Sequence, residues 1–228
     1  MKLRIKILLL LIPLIVLPLL VLGWFVYAEL KTSSETKVKN EIHASIEHLS
    51  DLIHADIQTA EANIILFEKN TLLRKYVLTK DEEERYSLLH APLLRVFRGF
   101  QEAFPNYYEI RILTPEGYED IRRTQGLMDN KKDNEADNPF YQLLLQNNKN
   151  TVSSKIGRNP DNNKMALFVG KPLIFYDPLI GAVGTLPLLQ GYLLLTVNMD
   201  KISNYINTIN IGKKGYLLLT DRQGKILS

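Results

Sequence analysis

The sequence predicts an α+β fold carried on a membrane-spanning helix, and three observations predict it. An uncharged apolar run, Ile7 to Ala28, follows Lys2, Arg4 and Lys6. Apolar residues then recur at spacings of three and four from Ile42 to Phe67, the period of one helix face. Past Pro105 the period falls to two, because Tyr108, Ile110 and Ile112 alternate with Glu109 and Arg111.

The apolar run is long enough to cross a bilayer core, which needs about 20 residues of helix. Pro13 and Pro18 lie inside it, and membrane helices accept proline more readily than soluble ones. The basic tail, residues 1–6, predicts a cytoplasmic N-terminus. The bulk of the chain is then expected outside the cytoplasmic membrane, which it crosses once. A cleaved signal peptide is the competing reading, since Val26-Tyr27-Ala28 can serve as a cleavage site.

Residues 29–104 read as helical. Ile42, Ile46, Leu49, Ile53, Ile57, Ala60, Ile64 and Phe67 form one stripe, and neither Pro nor Gly interrupts the stretch from Glu29 to about Tyr76. Such a helix is about 70 Å long at 1.5 Å per residue. Strict heptads would put Asp56 and Asn63 at core positions, which argues against a long coiled coil. Thr79 and Glu82 have capping-box spacing. The second helix they open carries Tyr86, Leu89, Leu93, Phe97, Phe100 and Phe104, with a kink expected at Pro92 and a stop at Pro105.

Tyr107–Thr124 reads as a hairpin around the turn Thr114-Pro115-Glu116-Gly117. A polar loop, 125–137, leads to a short helix capped by Asn138 with Pro139 at its first position. Strands are expected at 151–156, 165–176 and 192–197, then a helix at 201–209 capped by Asn198 or Asp200. Residues 105–210 thus make one module with an antiparallel sheet. Gly215–Thr220 and the turn Asp221-Arg222-Gln223-Gly224 repeat the opening hairpin, so residues 211–228 are expected to begin a second module.

Composition narrows the function classes. The chain has 228 residues, 46% of them hydrophobic, and no cysteine, which excludes disulfides and thiol chemistry. The tail supplies three of the 28 basic residues and leaves 25 against 25 acidic ones. A nucleic-acid binder would show a basic surplus there. His43, His48, His54 and His90 fall on helices with no pair four apart, so no two-histidine zinc face exists. Asp133, Glu135 and Asp137 alternate, but a calcium loop would need Gly at 138 and Glu at 144, where Asn138 and Leu144 stand. They read as a solvated loop. No nucleophile, base and orienting group assemble, so neither an enzyme, a cofactor nor a metal site is expected.

The order of apolar helix, long helix, hairpin and short helix is followed by Lys171-Pro172-Leu173-Ile174-Phe175-Tyr176-Asp177 and Gly191-Tyr192 to Ile202. With Tyr107-Tyr108-Glu109-Ile110-Arg111 and Gly117-Tyr118-Glu119-Asp120-Ile121-Arg122, this resembles a double Cache sensor domain over most of the chain beyond Glu29. The resemblance implies two stacked PAS-like modules beside a long helix, sensing small molecules outside the bacterial cytoplasm. It implies a cytoplasmic output, such as a histidine kinase of a two-component system or a diguanylate cyclase making cyclic-di-GMP. It also implies a second membrane helix after the second module, so a truncated receptor is expected. Amino-acid-binding members carry an Arg-x-Trp-Tyr-type motif at the short helix. Here Phe140 and Tyr141 keep the aromatic pair, Asn138 replaces the arginine, and Asp177 matches a later aspartate.

The candidate ligand-binding residues are therefore Arg111, Tyr118, Arg122, Phe140, Tyr141 and Asp177. An arginine in a concave sheet can clamp a carboxylate bidentately; a solvated strand face is the alternative for Arg111, Arg122 and Arg123. Tyr118, Phe140, Tyr141 and Tyr192 either line a pocket or fill the core. Asp177 precedes Pro178 and is either an amine acceptor or a turn residue. The expected partners are an unknown small molecule, the lipid bilayer and a second copy in a homodimer. An envelope binding or scaffold protein without signalling output is the other class.

Overall fold

The computed structural model describes residues 3–126, 128–147, 150–176, 187–209, 215–221, 224 and 226–227, with side chains omitted for 3–10 and 12. It divides into two compact units, Met1–His48 with Asn210–Tyr216, and Leu49–Ile209 with Leu217–Ser228.

Helix α1, Leu3–Glu68, is continuous through Pro13 and Pro18. In the first unit its apolar side chains, Leu14, Leu17, Trp24 and Phe25 among them, are exposed. This is the one helix among the described residues long and apolar enough to cross a membrane.

In the second unit the same helix buries its stripe. Ala60, Ile64 and Phe67 are fully buried, while Ile53 and Ile57 pack at the margin. Each large side chain among them, such as Ile64 or Phe67, contributes about 1.5–3 kcal/mol when removed from water. The helix stops at Glu68, two residues separating it from the next helix, rather than running on to Tyr76. Asn70 accepts hydrogen bonds from the backbone N–H groups of Leu72 and Leu73 and so caps α2, Thr71–Leu78.

The expected Thr79/Glu82 box does not form. Thr79 ends α2, its hydroxyl donating to the Lys75 carbonyl, and Asp81 caps α3, Glu82–Glu84, by accepting from Glu84 N–H. A π-helical turn, Arg85–Leu89, joins α3 to α4, His90–Ala103. Pro92 has no N–H for the Leu88 carbonyl, and its ring crowds that carbonyl. The irregularity therefore sits just before the proline, as a widened turn.

The sheet has five antiparallel strands in the order β2-β1-β5-β4-β3: β1 Tyr107–Leu113, β2 Glu119–Thr124, β3 Ser153–Arg158, β4 Met165–Phe175 and β5 Leu188–Asn198. Side chains alternate between its faces. Ile110, Ile112, Ile121, Leu167, Val169, Leu193, Leu195 and Val197 meet the helices α1, α2, α4 and α6 (Asp200–Thr208) in the main core. Leu113, Ala166, Phe168, Tyr192 and Leu194 meet α5, Pro139–Gln146, on the other face. The chain is thus α+β with an antiparallel sheet, as its periodicities predict.

Beyond α6, Thr220 bridges Ile226, and Leu227 N–H donates to the Leu219 carbonyl at 2.8 Å.

Candidate functional site

Helix α5 is set by three local features. Asn138 accepts from Phe140 N–H at 2.9 Å, and Pro139 occupies the first helical position. Gly170 on β4 leaves room for the helix to lie close to the sheet. A Cβ there would sit 2.8 Å from Leu144 Cδ2 and 3.1 Å from the Phe140 ring. The Tyr141 hydroxyl donates to the Pro115 carbonyl at 2.7 Å, which ties α5 to the β1–β2 turn.

A cavity of about 280 Å³ opens between the start of α5 and β3. Phe140 and Phe168 form its aromatic side, their ring centroids 5.6 Å apart. Lys155, Gly157 and Arg158 line it from β3; Lys132, Glu135, Asp137 and Asn138 line it from the loop before α5. Lys155 and Phe168 are direct cross-strand partners, so one end of the cavity is aromatic and cationic together. The positive end of the α5 dipole lies at the same place.

Beside it, on β1 and β2, lies a buried polar cluster. Arg111 is 2% exposed and donates to Glu135 at 2.6 Å. The other Glu135 oxygen accepts from Asn138 at 2.6 Å. Arg122 donates to Glu109 at 2.7 Å and to Asp161 at 2.8 Å. Glu109, fully buried, also accepts from the Thr196 hydroxyl at 2.8 Å. Glu119 stands 3.9 Å from Arg111 and 3.8 Å from Arg122. Burial pushes the Glu119 carboxyl above the usual carboxylate range, against the pull of Arg122 and Arg111. Burial also opposes the Arg111 charge, but Glu109, Glu135 and Glu119 outweigh it and raise its affinity for the proton.

Of the candidate ligand-binding residues, Phe140 alone lines the cavity among the described residues, and Asn138, Glu135 and Asp137 line it with Phe140. Arg111 and Arg122 are ion-paired within the cluster, not on a solvated strand face. Arg123 buries its Nε without a hydrogen-bond partner. Tyr141 and Tyr192 are buried, ring edge to ring face at 5.3 Å, and burial raises both hydroxyls above the ordinary tyrosine range. Tyr118 is exposed and bridges to Asn134 through its backbone. Asp177 lies outside the described residues. Glu135 does not belong to a solvated acidic loop, because Arg111 and Asn138 hold it in the interior. Lys155, Arg158 and Phe168 escape sequence reading; the signal for Lys155 and Phe168 is a strand register that only the fold supplies. Among the described residues, no group of three or more His, Asp or Glu side chains is arranged to hold a metal ion.

No protein-family model matches the chain, and no curated protein does. Solved structures do. The sensor domain of the Vibrio cholerae histidine kinase DctB aligns with a TM-score of 0.54 at 14% identity, over 73% of this chain and 58% of that one. A domain of a sensory box/GGDEF family protein from Vibrio parahaemolyticus aligns with a TM-score of 0.60 at 14% identity, over 85% and 72%. The ligand-binding domain of the Campylobacter jejuni chemoreceptor Tlp3, in complex with 4-methylisoleucine, aligns with a TM-score of 0.57 at 14% identity, over 85% and 69%. The chain thus spans 58% of the first of these domains. Its fold is that of the sensor domains of histidine kinases, sensory box proteins and chemoreceptors, the fold its resemblance to double Cache domains implies.

Proposed function

We propose that this chain is the extracytoplasmic sensing region of a bacterial membrane receptor, and that its ligand occupies the cavity between α5 and β3. The observation that carries this reading is the cavity itself. About 280 Å³ suits a small organic molecule, and an aromatic wall with a few polar groups is the usual chemistry of such sites. The apolar stretch of α1 anchors the chain in the inner membrane. Ligand binding favours one of two arrangements of the module on α1 within a homodimer, through its differential affinity for the two. The signal passes to a kinase or cyclase output.

The Tlp3 domain was solved with isoleucine, valine and related amino acids. At the start of α5 this chain has Asn138, whose side chain is committed to Phe140 N–H and to Glu135. Amino acids therefore belong in a ligand screen beside organic acids, amines and purines.

The test is a thermal-shift screen of the full chain in lipid nanodiscs, repeated with Gly157→Leu. Gly157 lines the cavity, and a Cβ there meets only a Phe168 ring carbon at 3.6 Å, an ordinary contact, so the substitution starts a bulky side chain at the cavity wall. One compound class should stabilise the wild type saturably, by about 2.7 kcal/mol at a hundred times Kd, and the variant not at all. Folded protein with no shift from any class would favour an envelope scaffold. A shift retained in Gly157→Leu would place the ligand elsewhere.

A further inference from the structure

The buried cluster next to the cavity holds more acid than base. Arg111 and Arg122 face Glu109, Glu119, Glu135 and Asp161. With every group ionised, two negative charges are uncompensated in a region largely shut off from water. Such an excess is relieved by a counter-ion or by a proton.

The four carboxylates are not equally held. Glu109 accepts from Arg122 and Thr196, Glu135 from Arg111 and Asn138, and Asp161 from Arg122 and the Lys131 backbone N–H. Among the described residues, Glu119 has one such bond, from Asn130 to Oε1 at 3.2 Å, and its buried Oε2 has no partner. Both arginines stand beyond hydrogen-bond reach of it.

We infer that this cluster is a proton-binding site centred on Glu119, and that a proton there fixes Glu135 at the wall of the cavity. Both carboxylates approach the same nitrogen, Arg111 Nη1, Glu135 at 2.6 Å and Glu119 at 3.9 Å. Ionised Glu119 competes for that guanidinium; protonated Glu119 leaves it to Glu135. Glu135 in turn holds Asn138, the cap of α5. Protonation therefore firms the start of α5, and ionisation loosens it.

The groups that face Glu119 come from every neighbouring element. Glu109 and Arg111 lie on β1 and Arg122 on β2. Asn130, Asp133 and Glu135 lie on the loop, with Asp133 accepting from both Asn130 and the Glu119 backbone N–H. Asp161 lies on the β3–β4 turn and Thr196 on β5. The arginines alone favour the ionised form by charge; burial and the neighbouring acids favour the proton, in line with the upward displacement of the Glu119 carboxyl. The meaning for sensing rests on the ligand reading of the cavity; the proton site does not.

Two ligand-free measurements on the full chain in nanodiscs test this. Hydrogen exchange over residues 135–146, corrected for intrinsic rates, should lose on the order of tenfold in protection from about pH 5 to about pH 8. Glu119→Gln should stay at the acid-side level, and Glu119→Asp should restore a pH dependence. Parallel profiles in wild type and Glu119→Gln would overturn the proposal. Infrared difference spectra of wild type labelled with carbon-13 glutamate give a reading that needs no variant to fold. A buried protonated glutamate carboxyl should appear on the acid side and vanish on the alkaline side; its absence would also overturn the proposal. Failure here leaves the cavity assignment intact, and an unliganded cavity leaves the proton site intact.

Discussion

Lys171 on β4 donates to Glu68, the last residue of α1, across 3.0 Å, with both side chains mostly withdrawn from solvent. The ammonium also donates to Asn150 through its side chain and backbone carbonyl. One ion pair thus pins the end of the long helix to the central part of the sheet. Removing one partner of a buried pair strands the other charge, whereas removing both need not. Lys171→Met should cost about 3 kcal/mol in denaturant unfolding, and Lys171→Met with Glu68→Leu should recover most of it. A double variant no better than the single one would show that the pair does not act as a unit.

Arg111 and Arg122 invite a ligand-clamp reading from the sequence, and their geometry predicts how substitution will behave. Each is matched to carboxylates inside the fold. Arg111→Met leaves Glu135 without its ionic partner, while Glu109 keeps Arg122, and should cost about 3–5 kcal/mol of stability. Thr196→Val removes one hydrogen bond to the Glu109 carboxylate and should cost about 1.5–3 kcal/mol. Denaturant melts of both variants check the order. Arg111→Met with undiminished stability would return that residue to the ligand-binding candidates.

Two glycines are fixed by close approach. Gly191 has φ +150°, and a Cβ there would lie 2.3 Å from the Leu113 carbonyl oxygen on the neighbouring strand. Backbone cannot yield as a side chain can, so Gly191→Ala should cost about 3 kcal/mol or more. At Gly170 the obstacles are the ends of Leu144 and the Phe140 ring. Gly170→Ala should therefore cost less, about 1–2 kcal/mol, while shifting Phe140 at the cavity wall. Thermal unfolding of the two variants should rank them in that order.

What the sequence disclosed follows from how local each signal is. The stripe through Ile64 and Phe67 and the alternation of Tyr108, Ile110 and Ile112 lie within a few residues, and the structure has the helix and strand they predict. Asn138 and Pro139 start α5 as their chemistry suggests. The capping box at Thr79 failed because Asp81, two residues on, offers a better acceptor to the same turn. The π turn was hidden because Pro92 signals a break without saying on which side it falls. The cluster was hidden for a longer-range reason. Arg111 and Glu135 are 24 residues apart, and Arg122 and Asp161 are 39 apart. An arginine on an alternating strand reads as exposed or ligand-facing until the loop that covers it is placed.

The displaced titration of Glu119 also sets a slope of stability with pH. Its carboxyl is raised in the folded state, first by burial, so the folded chain binds that proton more tightly than the unfolded chain does. The associated stability is full below the ordinary glutamate range and is lost as pH rises through the raised folded value. Glu119→Gln keeps a neutral side chain at all pH values. It should therefore match the wild type on the acid side and exceed it near neutrality, where the wild type carries a costly buried charge. Denaturant midpoints of both proteins, measured at about pH 4 and about pH 8, give the comparison. A variant that is less stable than wild type near neutrality would mean that Arg111 and Arg122 hold the Glu119 charge more firmly than their distances of 3.9 and 3.8 Å suggest.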